Sequence, residues 1–299
     1  MMAEAALRAQ ARRLATELRK LGPEITPDML SGTTALFAPM HTTDAADRVQ
    51  ITRDLHYGSA ERHRLDIFAP SPRAGELQPV LLFVHGGGFI GGDKRTRGSP
   101  FFDNVGRWAA KQSLVGVTMT YRLAPEHPWP AGSDDVRAAV AWIRENIASY
   151  GGDAARVVVM GQSAGAVHVA GFLARDHREA DAWHPAGAIL VSGLYDTLTM
   201  ERNALFRLYF GEEPAASAAF LTALASTPVP FMTVTAEIDP LDFLRQTAVL
   251  HDACIRQSGK LPRFVQASGD NHLSTVLQLD SSVDRLGSTL FEFIADTTG

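Results

Sequence analysis

The sequence predicts an α/β fold in which helices cover both faces of a mostly parallel, eight-stranded sheet. From about residue 49 onward, short β-rich segments alternate with longer helical patterns, as in a series of βαβ units. The later β-rich segments are continuous apolar runs, such as Val-Val-Val-Met at residues 157–160. Such runs are typical of strands that are buried on both faces of a parallel sheet.

The predicted elements follow one another regularly along the chain. Segments rich in β-branched and aliphatic residues predict strands at 49–55, 64–68, 80–84, 114–120, 157–160, 188–191, 231–235 and 264–267. Helical spacing of apolar residues predicts helices in the intervals, at about 103–112, 133–149, 164–176, 240–258 and 273–294.

Two stretches lack this alternation. Residues 1–48 contain no strand signal, and their apolar residues recur at helical spacing until a Gly-Pro pair at residues 22–23 ends the pattern. Residues 196–227 form a long insert between two predicted strands, and their Ala, Leu and Phe content predicts additional helices. Inserts of this length within a compact domain are often lids or binding segments.

Composition excludes several classes of protein. The chain has 299 residues, of which 45% are hydrophobic and 20% charged, so it can bury a sizeable core and is not intrinsically disordered. The net charge of −5 argues against a nucleic-acid partner, which a basic balance would favour. The longest apolar runs have the length of strands, so no membrane span is predicted.

Two local features bear on the cellular compartment. Cys254 is the only cysteine, so no internal disulfide can form, and its helical surroundings favour a buried structural role over a catalytic one. Near the N-terminus, arginines interrupt the apolar residues, so that no uninterrupted apolar stretch has the length of a secretory signal. These features predict a cytoplasmic protein.

The pentapeptide Gly-Gln-Ser-Ala-Gly at residues 161–165 is the sharpest chemical signal in the chain. A serine nucleophile must project from a tight strand-to-helix turn, where flanking glycines relieve crowding. Ser163 is therefore the predicted nucleophile, and the amide of Ala164 is free at the helix N-terminus to bind an oxyanion. The alternative is an ordinary Gly-Ser turn, against which the strand before and the helix after the pentapeptide both argue.

A second glycine motif, His-Gly-Gly-Gly-Phe at residues 85–89, follows the third predicted strand. Its glycines let the backbone approach a ligand and turn N–H groups toward it, which is the pattern of an oxyanion-binding loop. Gly87 and Gly88 are the expected donors. His85 is expected to hydrogen-bond the loop itself rather than to act as a base.

No cofactor and no metal is predicted. The glycines of residues 86–91 also fit a dinucleotide fingerprint, but a polar loop follows them instead of the required helix, and the required acidic residue is missing. The sequence contains no nucleotide phosphate loop, no His-Glu-x-x-His motif and no cysteine–histidine cluster.

Three motifs together resemble one family. Residues 85–89, residues 161–165 and the stretch Tyr-Arg-Leu-Ala-Pro-Glu-His-Pro-Trp-Pro-Ala at residues 121–131 look like the bacterial hormone-sensitive-lipase family of α/β-hydrolases. The resemblance implies the α/β-hydrolase fold. It also implies that Asp239, within an Asp-Pro-Leu motif, is the catalytic acid and that His272 is the catalytic base.

The chemistry of acyl transfer agrees with this assignment. A serine nucleophile needs a base to take its proton and an anion to hold the imidazole in the correct tautomer. The chain order Ser163, Asp239, His272 is that of α/β-hydrolases, and each residue follows a predicted strand. The resemblance favours Asp239 as the acid, although three other acids lie nearby in the sequence: Glu237, Asp242 and Asp270. Of these, Asp270 is expected to shape the turn of the histidine loop.

The sequence departs from the family pattern at three points. Gln162 stands where the family commonly has an aspartate, and Ala166 replaces a glycine that often follows the nucleophile turn. The histidine motif reads Asn-His-Leu-Ser at residues 271–274, where the family often has a glycine and an aromatic residue after the histidine. These departures remove no catalytic group. They predict a divergent branch, and they bear on the identity of the substrate more than on the reaction.

The resemblance also implies a two-part organisation. Residues 49–195 and 228–299 form the catalytic domain, and residues 1–48 and 196–227 pack together as a helical cap over Ser163. Such a cap limits the length of the acyl chain and excludes water. Four residues are expected to line the substrate pocket: Phe89, Trp129, Leu205 and Phe206.

The predicted function is that of a serine carboxylesterase that hydrolyses small to medium esters with short acyl chains through an acyl-enzyme intermediate. The same triad would serve an amidase, an aryl-formamidase or a carbamate hydrolase, and the sequence does not separate these activities. A non-catalytic small-molecule receptor on the same fold is an alternative of another class, against which the presence of His272 argues. The resemblance further suggests a homodimer.

Overall fold

Eight strands form one sheet in the part of the chain that the structure describes, and each corresponds to a predicted strand. The structure is a computed structural model that describes residues 2–41, 49–70, 76–176 and 183–299. The end of the predicted N-terminal cap segment, residues 42–48, lies outside the described residues. The strands, in chain order, are β1 Val49–His56, β2 Arg64–Pro70, β3 Gln78–Val84, β4 Val115–Met119, β5 Gly152–Gln162, β6 Gly187–Val191, β7 Phe231–Ile238 and β8 Arg263–Asn271.

The sheet is mostly parallel, as predicted. Its strand order is β1-β2-β4-β3-β5-β6-β7-β8. Strand β2 pairs antiparallel with β1 and with β4, whereas all pairs from β4 through β3 to β8 are parallel. Because the carboxyl ends of parallel strands meet at one edge of a sheet, the segments that follow β5, β7 and β8 lie close together. Ser163, Asp239 and His272 each directly follow one of these three strands.

Alternate residues of the central strands pack into two hydrophobic cores, one on each face of the sheet. In β3, Leu82 and Val84 belong to one core, and Leu81 and Phe83 belong to the other. All four side chains are at most 1% exposed. Since side chains alternate across a strand, a strand that is apolar at every position requires cover on both faces. This explains the continuous apolar runs in the sequence.

Helices supply this cover on the two faces. The helices of the described residues are α1 Met2–Leu21, α2 Pro27–Phe37, α3 Asp103–Lys111, α4 Ala131–Asn146, α5 Ala164–Asp176, α6 Ala204–Phe210, α7 Leu221–Ala225, α8 Leu241–Ser258, α9 Ser274–Leu277 and α10 Gly287–Thr298. Helix α3 packs on β4, α5 packs on β5, and α4 packs on α5. None of the helices within the described ranges combines the length and the apolar character that a membrane span requires.

One helix prediction is wrong. The sequence predicts a single helix over residues 273–294, but the structure has the short helix α9 and, after an irregular segment, helix α10. Asp280 adopts a left-handed backbone conformation with φ of +63°, which a continuous helix does not allow. Asp284 then accepts hydrogen bonds from the amides of Leu286 and Gly287, which satisfies free N–H groups where α10 begins.

In their described residues, both segments outside the strand–helix alternation contain helices, as predicted. Helix α1 packs on β8, with Leu14 and Leu18 buried, and α2 packs on α9. Helices α6 and α7 lie in the insert. The N-terminal segment thus packs on the edge strand of the sheet, β8, which the predicted catalytic histidine directly follows.

The single thiol of the chain is buried. Cys254 lies on α8 and belongs to one of the two cores. Burial raises the pKa of its thiol. A reactive cysteine needs the opposite shift, so these surroundings agree with the structural role predicted for Cys254.

Candidate active site

Ser163 occupies the sharp turn between β5 and α5. Its φ is +55°, in the left-handed region that a side chain rarely adopts, so the turn projects the hydroxyl away from the sheet. The two neighbouring glycines leave no room for a side chain. A Cβ at Gly165 would overlap the backbone carbonyl of Val84, and a Cβ at Gly161 would overlap the carbonyl of Gly165. Steric crowding therefore explains both glycines of the pentapeptide.

The structure brings Ser163, His272 and Asp239 into one chain of hydrogen bonds. The Nε2 atom of His272 lies 2.8 Å from Ser163 Oγ, and its Nδ1 atom lies 2.7 Å from Asp239 Oδ1. All three residues are at least nine-tenths buried. The ring of Phe243 packs against the imidazole with centroids 4.5 Å apart and planes tilted by 56°, so an apolar contact holds the histidine in addition to its two hydrogen bonds.

The second oxygen of Asp239 is also fully used. Asp239 Oδ2 accepts a hydrogen bond of 2.7 Å from the amide of Ala236 and another of 2.7 Å from the hydroxyl of Ser192. With two donors on Oδ2, the carboxylate cannot rotate, and Oδ1 stays aimed at the imidazole.

The three rival acids lie elsewhere. Glu237 pairs with Arg19 on α1, and this hydrogen bond is the main cause that lowers the pKa of Glu237 to about 2. Asp242 accepts the amide of Glu201 in the insert. Asp270 accepts a hydrogen bond from Ser274, within the histidine loop that it was expected to shape, and burial raises its pKa. Among these acids, Asp239 is the one bonded to the imidazole of His272.

Sequence reasoning missed two residues that hold the triad in place. Ser192 donates to Asp239, and the side-chain amide of Gln162 donates to the backbone carbonyl of His272 over 3.0 Å. Ser192 directly follows β6, which lies between β5 and β7, so the strand-end rule could have found it. Gln162 is one of the departures from the family pattern, and its contact gives that departure a physical role.

The unusual Asn271 of the histidine motif is explained by a contact with the N-terminal segment. Its side-chain amide donates to Thr33 Oγ1 on α2 over 2.7 Å, and the Thr33 hydroxyl donates in turn to the carbonyl of Met29. Both side chains are fully buried. Asn271, the residue before His272, is therefore hydrogen-bonded to helix α2 through Thr33, which lies 238 residues earlier in the sequence.

Removing the hydrogen bond between Asn271 and Thr33 should lower the free energy of unfolding measurably. Thr33→Val keeps the shape of the side chain but leaves the buried amide of Asn271 without its acceptor, which costs about 1–3 kcal/mol of unfolding free energy. Thr34→Val is the matched control, since the Thr34 hydroxyl donates to Leu30 near the surface of the same helix. Urea unfolding of both variants measures the difference. Equal stability of the two variants would show that the contact with Asn271 contributes nothing.

The glycine loop after β3 has a backbone that ordinary residues avoid. The φ angles are +136° at Gly87, +59° at Gly88 and +70° at Phe89. The carbonyl of Gly87 accepts hydrogen bonds from the amides of Ile90 and Gly91, which closes the loop into a tight turn. Within the described residues, the amides of Gly87 and Gly88 donate no hydrogen bond to another backbone group. These donors are therefore available to a ligand beside Ser163.

His85 contacts the backbone of this loop and helps to hold it in place. Its Nδ1 atom lies 2.6 Å from the carbonyl of Gly86, and its ring stacks on Tyr121 with centroids 4.4 Å apart. The hydroxyl of Tyr121 donates to the carbonyl of His85 over 2.9 Å. Burial lowers the pKa of His85 to about 4, so the imidazole is neutral at physiological pH. These contacts agree with the structural role expected for His85.

A cavity of about 560 Å³ opens above the hydroxyl of Ser163 and the ring of His272. Phe89 from the glycine loop and Leu205 and Phe206 from the insert, three of the predicted pocket residues, form part of its wall. The volume is that of a site for a small organic molecule.

Both predicted cap segments border this cavity. Ile25 and Leu30 come from the N-terminal segment, and Leu205 and Phe206 come from the insert. Three carboxylates also take part in the wall: Glu24, Glu201 and Asp242. An apolar wall with acidic groups and no lysine or arginine among its described residues suits a neutral molecule better than an anion.

Trp129 does not belong to the described wall of the cavity, so its assignment to the pocket is wrong. Its ring stacks on Phe220 of the insert, with centroids 5.2 Å apart, and also contacts Phe210. Phe210 lines the cavity in its place. Trp129 thus takes part in the aromatic packing between the catalytic domain and the insert.

The fold and the site together define the α/β-hydrolase class, since a nucleophile turn, an acid and a histidine follow successive parallel strands in the order typical of that class. The chain belongs to the family described as the alpha/beta hydrolase fold, whose sequence profile matches residues 81–272. This membership confirms the resemblance found in the sequence.

Curated relatives match part of the chain. Carboxylesterase NlhH of Mycobacterium tuberculosis is 47% identical over 88 residues, which make up 29% of this chain and 26% of the relative. The para-nitrobenzyl esterase of Bacillus subtilis is 32% identical over 171 residues, or 54% of this chain and 31% of the relative. The matches thus span about a quarter to a third of the length of these relatives.

Solved structures match almost the whole chain. A thermostable esterase from Pseudomonas putida superposes with a TM-score of 0.72 at 20% identity, over 97% of each chain. An esterase of the bacterial hormone-sensitive lipase family superposes with a TM-score of 0.70 at 21% identity, over 97% of this chain and 99% of that one. At these identities the likeness shows the shared fold.

Proposed function

We propose that this protein is a serine carboxylesterase that hydrolyses small, neutral carboxylic esters through an acyl-enzyme intermediate. One observation carries the proposal: Ser163 Oγ lies 2.8 Å from His272 Nε2 at the floor of a cavity that is also lined by the glycine loop. The names of the relatives, which describe carboxylesterases and esterases, support the same chemistry.

The triad performs two successive acyl transfers. His272 takes the proton of Ser163 while Oγ attacks the acyl carbon, and Asp239 stabilises the imidazolium that forms. The imidazolium then gives its proton to the departing alcohol, which leaves the acyl group bonded to Oγ. In the second half of the cycle His272 takes a proton from water, the hydroxide attacks the acyl carbon, and Ser163 is released with its proton restored.

Backbone amides stabilise the negative charge that develops on the carbonyl oxygen. We assign this role to Gly87, Gly88 and Ala164, which all line the cavity beside Ser163. The loop and the helix start are held in place before substrate arrives, so their dipoles need not reorganise during the reaction. Each such donor contributes about 10²–10³-fold to the rate of acyl transfer.

Residues 1–48 and 196–227 act as a cap over the catalytic domain of residues 49–195 and 228–299. Support comes from the cavity wall, to which Ile25 and Leu30 contribute from the first cap segment and Leu205 from the second. A cavity that is bordered by both segments limits the length of the acyl chain that it can accept. It also keeps water away from the reacting groups until the alcohol has left.

The rate of ester hydrolysis should therefore depend on chain length. We expect kcat/KM for p-nitrophenyl esters to be highest for acyl chains of about two to four carbons and to fall for chains beyond about six, because the covered cavity has a small-molecule volume. A series from acetate to palmitate measures this. In Phe206→Ala the maximum should move to longer chains, since Phe206 forms part of the wall. A wild-type maximum at palmitate would contradict the cap proposal.

A labelling experiment tests the function itself. A fluorophosphonate probe reacts with a serine only when a neighbouring base activates it, so we expect stoichiometric labelling of Ser163. Esters should be hydrolysed faster than amides and carbamates of the same acyl group. Labelling accompanied by faster amide or carbamate hydrolysis would replace the esterase proposal, and a folded protein with neither labelling nor turnover would be a receptor instead.

We further propose that the protein is a homodimer in the cytoplasm. Strand β8 lies at the edge of the sheet, and Phe264 on it is 50% exposed, so a second copy has a strand edge and an apolar side chain to pair with. The packing of α1 on β8 supports a structural role for the N-terminal helix within the folded protein. Sedimentation as a monomer at micromolar concentration would contradict the dimer.

A further inference from the structure

Tyr209, on helix α6 of the insert, contacts three separate parts of the catalytic domain. Its ring stacks on Phe89 of the glycine loop, with centroids 4.3 Å apart and planes within 2° of parallel. Its hydroxyl oxygen lies 3.1 Å from Nδ1 of His168 on α5. Its backbone carbonyl accepts the amide of Trp129 over 2.8 Å. The side chain is only 1% exposed, so these contacts lie in the interior of the protein.

The hydroxyl of Tyr209 is held by a buried histidine. Its oxygen and Nδ1 of His168 lie within hydrogen-bond distance of each other. Burial lowers the pKa of His168 to about 3, so its imidazole is neutral and can accept. A Cβ at Gly132 would overlap the ring of His168. The buried histidine, which has no part in the triad, thus serves to anchor Tyr209.

Phe89 needs external support. It directly follows Gly88 and has a φ of +70°, a conformation that an aromatic residue rarely adopts without restraint from its surroundings. The restraints are the parallel ring of Tyr209 and a hydrogen bond of 3.0 Å from the amide of Ala124 to the carbonyl of Phe89. The ring of Phe89 also meets that of His168 edge to face. The conformation of this residue is thus set by groups outside the glycine loop.

We propose that Tyr209 is a positioning residue for the oxyanion loop. By clamping Phe89, Tyr209 fixes the backbone of Gly88 and keeps its amide aimed at the point where the carbonyl oxygen becomes negative. The inference rests on the proposed esterase function. It means that the insert takes part in stabilising the transition state and not merely in covering the substrate.

A stabilising interaction that acts only in the transition state has a recognisable kinetic signature. Its loss lowers kcat and kcat/KM together and leaves KM nearly unchanged. A residue that only shapes the acyl pocket would change KM and the preference for chain length instead. The two roles can therefore be separated by steady-state kinetics together with a transition-state analogue.

The test compares Tyr209→Leu with Phe220→Leu. Phe220 is also a buried aromatic residue of the insert, but it stacks on Trp129 and is not part of the cavity wall in the described residues. For p-nitrophenyl acetate we expect Tyr209→Leu to lower kcat about 10- to 100-fold with KM within about twofold of wild type. The inhibition constant of a trifluoromethyl ketone, which forms a tetrahedral adduct with the serine, should rise by the same factor. Phe220→Leu should retain kcat within about threefold while losing thermal stability to a similar extent.

Tyr209→Phe keeps the stacked ring and removes only the hydroxyl, so we expect a smaller loss of kcat, about 3- to 10-fold. If Tyr209→Leu does not fold, Tyr209→Phe tests the inference in its place. A wild-type kcat in Tyr209→Phe would then overturn the inference. Equal losses of kcat in Tyr209→Leu and Phe220→Leu, or a change in KM alone, would also overturn it. A wild-type protein without ester turnover or fluorophosphonate labelling would instead refute the proposed function.

Discussion

Replacing Ser163 by alanine is expected to reduce ester turnover by about 10⁶-fold, to a trace above the uncatalysed rate. The loss follows from the removal of the hydroxyl that lies 2.8 Å from His272 and forms the bond to the acyl carbon. The fold should be retained, because the substitution leaves the backbone turn and both flanking glycines unchanged. Burst and steady-state kinetics with a p-nitrophenyl ester measure the effect, and thermal unfolding verifies the fold.

A second serine provides the control for this prediction. Ser226, at the end of α7, has a hydroxyl that donates to the carbonyl of Thr222 at the surface. Ser226→Ala should therefore be labelled by fluorophosphonate and hydrolyse esters as wild type does. Turnover in Ser163→Ala that remains above about one per cent of wild type would refute the assigned nucleophile, because loss of a nucleophile leaves far less.

Replacing Asp239 by asparagine should lower kcat by about 10⁴-fold, the loss seen when a triad aspartate of another serine hydrolase is changed in this way. The reason is that Oδ2 of Asp239 accepts two hydrogen bonds. The amide of Ala236 and the hydroxyl of Ser192 both require an acceptor there. An asparagine that keeps its oxygen at this position turns its NH₂ group toward Nδ1 of His272. The imidazole then carries its proton on Nε2 and cannot accept the proton of the nucleophile.

Glu237→Gln is the matched control for the acid. Glu237 lies two residues before Asp239 in the sequence, but it pairs with Arg19, so we expect unchanged kcat. This pairing lowers the pKa of Glu237 to about 2, so the ionised carboxylate stabilises the folded protein. The stabilisation is present above the ordinary pKa of 4.5 and is lost as the pH falls toward 2. The acid-unfolding curves of wild type and Glu237→Gln should therefore converge in this range. Loss of activity in Glu237→Gln with full activity in Asp239→Asn would reverse the assignment.

The sheet could be predicted from the sequence because its signals are local. A strand that is buried on both faces must be apolar at each position, as in residues 157–160, and such runs stand out against the helical spacing of their neighbours. The parallel arrangement then implies that residues directly after different strands meet at one edge. For this reason Ser163 and His272 could be placed together although 109 residues separate them.

Contacts between distant side chains could not be predicted in this way. The pairing of Thr33 with Asn271 depends on how complete elements pack, and no spacing in the sequence encodes it. Trp129 illustrates the same limit, because its motif indicates a position near the substrate while aromatic packing with Phe220 directs its ring elsewhere. Apolar residues at helical spacing can also belong to a turn, as the interruption at Asp280 demonstrates.

The bond between Thr33 and Asn271 has a consequence for biosynthesis. During translation, the segment that contains Thr33 leaves the ribosome long before the one that contains Asn271 and His272, and domains fold as units while synthesis proceeds. The pentapeptide turn around Ser163 can form meanwhile, but its hydroxyl then has no imidazole beside it and remains as unreactive as an ordinary alcohol. In the proposed mechanism, Ser163 therefore gains its base only when β8 joins the sheet and Asn271 pairs with Thr33 on α2.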